Sequence, residues 1–375
     1  MAKFEIKNGV AIIPEGTTEI KENAFSGCTS LESITIPESV TKIGTSAFLR
    51  CSSLKSITIP ESVTEIGWSA FSYCSSLENI TIPDSVTRIG DKAFADCTSL
   101  KSITIPESVT EIGESTFSCS IRGAGGCTSL ESITILGAVT KIGTYAFADC
   151  TSLKSITIPE SVSEIGLCAF SNCTSLESIV IPQGVTKIEQ RTFYNCTSLK
   201  SITIPESVKV IEWNAFEGCT SLESIVIPQG VTKIEKCTFE GCTSLKSITL
   251  PESVTKIGKW AFCGCTSLES ITIPESVTSI GDSAFEGCTS LKSIVIPKGV
   301  TMIGSCAFEG CTSLTTVTLP VGVKKISYNV FRKCSALSTI YVPAKKTDYY
   351  MNRLSLKLHD IIVELAPEKK TKAKK

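Results

Sequence analysis

Apolar and polar residues recur in one order about every 23 residues, in a block close to C-T-S-L-x-S-I-T-I-P-E-S-V-T-x-I-G-x-x-A-F. In the block at 28–48, the apolar positions Leu31, Ile34 and Ile36 are separated by polar residues. This alternation predicts a short, half-buried β-strand in each block. Pro37 follows directly and ends the strand, because proline has no N–H to donate to a sheet ladder.

The second half of each block returns apolar side chains to the core. We expect Val40 and Ile43 to point inward, Gly44 to permit a tight turn, and Phe48 to pack on the side opposite the strand. A block of this size cannot bury its own apolar face, so neighbouring blocks must stack. The pattern therefore predicts an α/β-type solenoid, made mostly of short parallel β-strands and turns, with a phenylalanine spine on its far side.

The cysteine of each block tracks the register through about 14 coils. Steps of 23 residues lead from Cys28 to Cys334, except that the step from Cys97 to Cys127 is seven residues longer. We interpret the extra residues as an irregular insert at 118–126. A solenoid has no internal boundary at which contacts fall away, so the repeats are predicted to form a single domain.

The two ends of the stack need caps, because an open coil exposes its core. Residues 1–27 are predicted to form an N-terminal cap and a degenerate first coil, ahead of the repeats at 28–343. The residues expected to cover the core there are Phe4, Ile6, Val10, Ile12 and Ile13. At the other end, 344–366 is predicted to form a cap, in which Asp348 is the N-cap of a short helix that runs through Leu358 and a closing strand follows.

Charge is balanced over the whole chain but patterned within it. The formal net charge is -1, although the tail at 367–375 carries five lysines and one glutamate and is predicted to be disordered. The residue after each strand leucine alternates in sign, from Glu32 and Lys55 to Glu269 and Lys292. Opposite charges are therefore predicted to stack on neighbouring coils. No feature of this pattern favours a specific nucleic-acid partner.

The motifs that would indicate an enzyme are missing from the sequence. It contains no phosphate-binding loop, dinucleotide fingerprint or H-E-x-x-H pair, and the single histidine, His359, lies beyond the repeats. The recurring serines stand in every block, so none has a neighbouring base of its own. We therefore expect no catalytic residue, no cofactor and no bound metal.

The 19 cysteines could in principle indicate disulfides or a metal site. Fourteen of them occupy one position in successive blocks, where a small apolar side chain facing the core fits. Parallel stacking keeps their Cβ atoms at about the 4.8 Å strand spacing, beyond the range of a disulfide. An odd total without a C-x-x-C pair favours reduced thiols over a disulfide framework.

The consensus L-x-x-I-x-I-P-x-x-V-x-x-I-G-x-x-A-F-x-x-C resembles the BspA-like, or Treponema-type, leucine-rich repeats from about Ile13 to Val342. The resemblance implies a right-handed leucine-rich-repeat superhelix of about 14 stacked coils. It also implies a surface or secreted binding protein, often an adhesin, with no catalytic position in its repeats. Because 1–14 holds no continuous apolar run of signal-peptide type, the sequence itself favours the cytoplasm and no membrane span.

The predicted function is non-enzymatic binding, either protein recognition or adhesion, through the exposed and concave face of the sheet. The chain is expected to be a monomer. Its expected partner is a protein, for example a host protein, or a repetitive glycan. The alternative is a structural or self-assembling rod with no dedicated ligand. The candidate binding residues on the sheet are Thr58, Thr81, Thr104, Thr134, Thr157, Val180, Thr203, Val226 and Thr249. The insert adds two candidate contacts, Ile121 and Arg122.

Overall fold

The computed structural model describes three ranges of the chain, 5–118, 125–327 and 329–366. These residues form a parallel β-solenoid with almost no helix, which confirms the predicted fold class. They belong to two compact units, Met1–Val208 with Gly218–Thr220 and Lys209–Glu217 with Ser221–Lys375. The predicted single domain and cap boundaries remain predictions. Some predicted features lie outside the described residues, namely Phe4, Ile121, Arg122 and the tail at 367–375.

In the first unit, each coil places one strand of two to four residues on the predicted alternating segment. Neighbouring strands pair in parallel, with Ser56 opposite Asn79 and, across the insert, Ser102 opposite Ser132. The central isoleucine of each repeat strand is buried, as predicted. The strands are Val10–Ile12, Ser33–Thr35, Ser56–Thr58, Asn79–Thr81, Ser102–Ile105, Ser132–Ile135, Ser155–Ile156, Ser178–Val180 and Ser201–Thr203, and Ile6–Lys7 joins the first of them in antiparallel pairing.

A second ladder of two-residue strands, not predicted from the sequence, follows the proline turn of each coil. In the first unit these strands are Glu19–Ile20, Lys42–Ile43, Glu65–Ile66, Arg88–Ile89, Glu111–Ile112, Lys141–Ile142, Glu164–Ile165 and Lys187–Ile188. The glycine that follows most of them, predicted to permit a tight turn, has a further role. A Cβ atom on Gly67 would lie 2.7 Å from the carbonyl carbon of Gly44, so the absence of a side chain at Gly67 lets these two coils approach closely.

The second unit repeats the same two ladders. Its longer strands are Ser224–Val226, Ser247–Thr249, Ser270–Thr272, Ser293–Val295, Thr316–Thr318 and Thr339–Val342. Its short strands are Val210–Ile211, Lys233–Ile234, Lys256–Ile257, Ser279–Ile280, Met302–Ile303 and Lys325–Ile326. The predicted closing strand is present as Ile362–Glu364, which pairs in parallel with the last long strand.

The helix at the C-terminal end is shorter than predicted. The α-helix covers Thr347–Met351, and a separate 3-10 helix covers Leu356–Ile361, so Leu358 is not part of the first helix. Extended backbone just before the 3-10 helix interrupts the helical hydrogen bonds. The predicted role of Asp348 was also wrong, because it lies in the first turn while Lys346 occupies the N-cap position without a side-chain hydrogen bond.

Only some of the residues predicted to cover the core of the first coil do so, and Ile13 is one of them. Val10 and Ile12 are 41% and 71% exposed, whereas Ala11 and Ile13 are buried. The register explains the difference, because Ala11 pairs with the buried Ile34 of the next coil and its two neighbours therefore point outward. Val10 and Ile12 were therefore assigned to the wrong face of the strand.

The phenylalanines form the predicted spine in both units. In the first unit, rings from Phe25 to Phe193 stack with centroids 5.2–5.8 Å apart. In the second, rings from Phe216 to Phe331 stack at 5.2–5.7 Å. Most of these rings are fully buried. The spine and the strand isoleucines therefore enclose the core of each coil from opposite sides.

Candidate functional site

The predicted binding residues lie on one exposed surface in each unit. We call it the strand face, meaning the side chains that flank the buried central isoleucine of each long strand. All nine sheet candidates are exposed, namely Thr58, Thr81, Thr104, Thr134, Thr157, Val180, Thr203, Val226 and Thr249. Thr58 pairs with Thr81 and Thr104 with Thr134 in parallel register, so equivalent side chains of neighbouring coils lie side by side.

Valines interrupt the hydroxyl groups of the strand face. Val180 in the first unit is 60% exposed, and Val226 and Val295 in the second unit are 73% and 65% exposed. Each replaces the threonine of the consensus at the third position of its strand. Valine is apolar, so removing its side chain from water is favourable. Burial of the strand face would therefore gain the most free energy at the valines.

One edge of the strand face is neutralised by ion pairs. Each lysine of the alternating file binds the glutamate of the preceding coil, with nitrogen–oxygen distances of 2.7–3.2 Å. The hydrogen bond between Glu78 and Lys101 lowers the pKa of the carboxyl and raises the pKa of the amine. The stacking of opposite charges was predicted. Exposed pairs contribute only about 0.2–1 kcal/mol each, so their main effect is to remove a like-charge column.

The second unit also contains an apolar groove beside its strand face, which the sequence did not reveal. The groove has a volume of about 530 Å³ and is lined by residues that include Val295, Pro297, Pro320, Val321 and Leu365. Val321 is 60% exposed, and it stands where most coils carry the glutamate of P-E-S. That substitution was the available signal, but Leu365 reaches the groove only because the closing strand folds back onto the sheet.

The sequence also singled out His359 and the insert residues Ile121 and Arg122. Ile121 and Arg122 lie outside the described residues. His359 lies in the 3-10 helix, half-buried, and within the described ranges its Nε2 atom has no hydrogen-bond partner. None of the helices in the described part of the chain has the length and apolar character needed to cross a bilayer.

Known proteins share this architecture. The model of the BspA-type leucine-rich repeat region matches residues 5–122, 125–246 and 234–355. A leucine-rich-repeat protein from Bacteroides ovatus is 30% identical over 95% of this chain and 92% of its own, with a TM-score of 0.71. A leucine-rich cell surface protein from Faecalibacterium prausnitzii is 32% identical over 94% and 91%, with a TM-score of 0.51.

No curated protein sequence matches the chain. The family match nevertheless covers almost all of the repeats, and the relative from Bacteroides ovatus extends over nearly the full length of both chains. The chain is therefore a leucine-rich-repeat scaffold, and it belongs to the BspA-type leucine-rich-repeat family.

Proposed function

We propose that this chain is a non-enzymatic recognition protein that binds a protein partner through its strand face. The observation that carries the proposal is the repeated exposure of hydroxyl groups and valines in parallel register, beside an edge whose charges are already paired. Such a surface offers hydrogen bonds and apolar contacts over many coils. It suits an extended partner better than a small molecule, which needs a closed pocket.

The apolar groove of the second unit supplies the strongest contact. Protein interfaces gain most of their affinity from a few apolar or aromatic side chains that become fully buried. Val295 and Val321 are exposed, and prolines line the groove beside them. We place the anchor of the partner there, and we assign the hydroxyl groups of the other coils to register and specificity.

We extend the proposal to an adhesive role at the cell surface. The similar protein from Faecalibacterium prausnitzii is described as a cell surface protein. We extend that location to this chain, so that its partner is a protein on another cell or in the surrounding medium. The fold alone does not carry this step, because one solenoid serves many biological settings.

Arginine substitutions test the strand face directly. The variants are Thr104→Arg with Thr157→Arg and Thr203→Arg in the first unit, and Val295→Arg with Val321→Arg in the second. The control places three arginines on half-buried residues that follow the short strands, at Thr45, Thr144 and Gln190. After affinity capture has identified a partner, its dissociation constant is measured with each purified variant.

We expect the strand-face variants to lose at least tenfold in affinity and the control to bind as the wild type does. Equal affinity in all variants would exclude the strand face as the binding surface. Circular dichroism shows in each case that the fold persists. Sedimentation of the wild type tests the alternative of a self-assembling rod, which requires concentration-dependent polymers.

A further inference from the structure

A cluster of metal-ligating side chains lies in the second unit, away from the strand face. Glu217, Cys237 and Glu240 each offer one ligand atom, and these atoms all lie within 4.8 Å of one another. Both glutamates directly follow a phenylalanine of the spine, and Cys237 stands three residues before Glu240. Stacking therefore brings carboxylates from two successive coils beside one thiol.

The Cys237 thiol is directed into this cluster. The residue is 4% exposed, and its thiol hydrogen-bonds to the Glu240 carboxylate. Burial, that hydrogen bond and the charges of Glu240 and Glu217 raise the pKa of Cys237 to about 12, while Lys236 opposes them. Outside the cluster, the thiol has no hydrogen-bond partner among the described residues. The thiol is therefore protonated and directed at a carboxylate, and it has to release its proton before its sulfur can bind a cation.

The two carboxylates are not neutralised by the protein. Neither Glu217 nor Glu240 forms an ion pair with a lysine or arginine in the described part of the chain. The side-chain amide of Asn214 donates a hydrogen bond to Glu217. A hydrogen bond of this kind orients a metal-binding carboxylate and leaves its other oxygen available.

The same motif occurs once more in the unit and provides an internal comparison. Glu286, Cys306 and Glu309 occupy the equivalent positions three coils later. There, Arg332 and Lys333 of the following coil bind Glu309 at 2.6 and 3.3 Å. Two protein cations thus neutralise the Glu309 carboxylate of the second copy.

The first copy has no such cations. The residues equivalent to Arg332 and Lys333 are Cys263 and Gly264, which carry no positive charge. Burial and the nearby Glu240 and Glu286 carboxylates raise the pKa of the Cys263 thiol to about 11. The position that supplies a cation in the second copy therefore supplies a second thiol in the first.

We propose that Glu217, Cys237 and Glu240 form a binding site for one divalent cation of the zinc type. One thiolate and two carboxylates suit Zn²⁺, at about 2.0–2.3 Å from each ligand atom, with a fourth position open to water. Ca²⁺ and Mg²⁺ are disfavoured because they take oxygen ligands alone. On binding, Cys237 loses its proton to solvent and its sulfur coordinates the ion, so two successive coils become linked.

The experiment uses the full, reduced chain, titrated with Cd²⁺ as a spectroscopic substitute for Zn²⁺. The thiolate-to-metal charge-transfer absorbance reports coordination by sulfur, and the melting temperature is measured with and without Zn²⁺. Cys237→Ser removes the central ligand, and serine already occupies the equivalent position at Ser283, so the variant should fold. Cys306→Ser is the matched control. The double variant Glu217→Gln with Glu240→Gln tests the carboxylates separately.

We expect the wild type and Cys306→Ser to bind one Cd²⁺ with the absorbance band and to melt at a higher temperature with Zn²⁺. Cys237→Ser should lose the band, and both Cys237→Ser and the glutamine pair should bind Zn²⁺ at least tenfold more weakly. The proposal is overturned if the wild type shows no saturable binding, if Cys237→Ser retains the band, or if Cys306→Ser loses as much affinity as Cys237→Ser.

Discussion

The thiol sulfur of Cys196 lies 3.1 Å from the backbone carbonyl oxygen of Phe170, to which it donates a hydrogen bond. The same oxygen accepts the backbone N–H of Cys173 at 3.2 Å. The thiol bond recurs along both units, for example from Cys265 to Phe239 in the second. The cysteine position was predicted as a small apolar site, but it also supplies a donor to a buried carbonyl beside the spine.

Replacing Cys196 by alanine should lower stability by about 1–2 kcal/mol, because it removes this donor and leaves a small cavity. The urea midpoint of unfolding measures the effect. Cys263→Ala is the control, since Cys263 is half-buried and lies off the cysteine file. Equal costs for the two variants would show that the thiol–carbonyl bond adds nothing.

Removing a phenylalanine ring from the spine should lower the free energy of unfolding by more than Cys196→Ala does. Phe216 is fully buried and stacks on Phe239 at 5.6 Å, so Phe216→Ala should cost about 3–5 kcal/mol through the cavity that it creates. Trp213→Ala removes a larger ring from the surface and should cost much less, because Trp213 is half exposed. A cost below about 1 kcal/mol for Phe216→Ala would contradict the packing of the spine.

Two glycines should respond differently to alanine. Gly287 has a φ of +72°, and an added Cβ would meet its neighbours only at ordinary contact distance, so Gly287→Ala should cost about 1 kcal/mol from the left-handed backbone alone. Gly67→Ala would place its Cβ 2.7 Å from the backbone of Gly44 in the preceding coil. We expect Gly67→Ala to separate the two coils and to lower the midpoint of thermal unfolding much further than Gly287→Ala does. A smaller effect than that of Gly287→Ala would contradict the close approach of the two backbones.

Thiol labelling should begin at the C-terminal end of the cysteine file. The neighbouring Cys311 thiol lowers the pKa of Cys334, which is half-buried, whereas burial raises the pKa of Cys219 to about 12. At mildly alkaline pH, Cys334 therefore holds more reactive thiolate. Mass spectrometry after brief alkylation should find Cys334 modified well before Cys219. The reverse order, or equal rates in the native state, would contradict this expectation.

Acid should weaken the second unit through Glu309. The Arg332 guanidinium lowers the pKa of this carboxyl from 4.5 to about 2, with burial acting in the opposite direction. A depressed folded-state pKa stabilises the protein above pH 4.5, and the stabilisation is lost as the pH falls towards 2. Between pH 5 and 3, the free energy of unfolding should fall by about 1–2 kcal/mol less in Glu309→Gln than in the wild type. Urea titrations at each pH measure it, with Glu286→Gln as the control, and parallel curves for the wild type and Glu309→Gln would disprove it.

The sequence revealed the long strands, the spine and the exposed threonine positions because each depends on a period that survives in every coil. Ile34, Thr35 and Phe48 could be assigned from one block and transferred to the rest. The N-terminal coil shows the limit of this transfer. Val10 and Ile12 are apolar but exposed, since only the pairing of Ala11 with Ile34 decides which side of the strand faces the core.

Local periodicity thus determined the architecture of this chain, because a repeated block that cannot bury itself has to stack. Tertiary structure decided what distinguishes one coil from another. Only stacking brings Glu217 beside Cys237 and Glu240, and only the returning closing strand brings Leu365 to Val321. These contacts join residues of different coils, and their chemistry depends on side chains at which the repeat departs from its consensus, so no single block contains them.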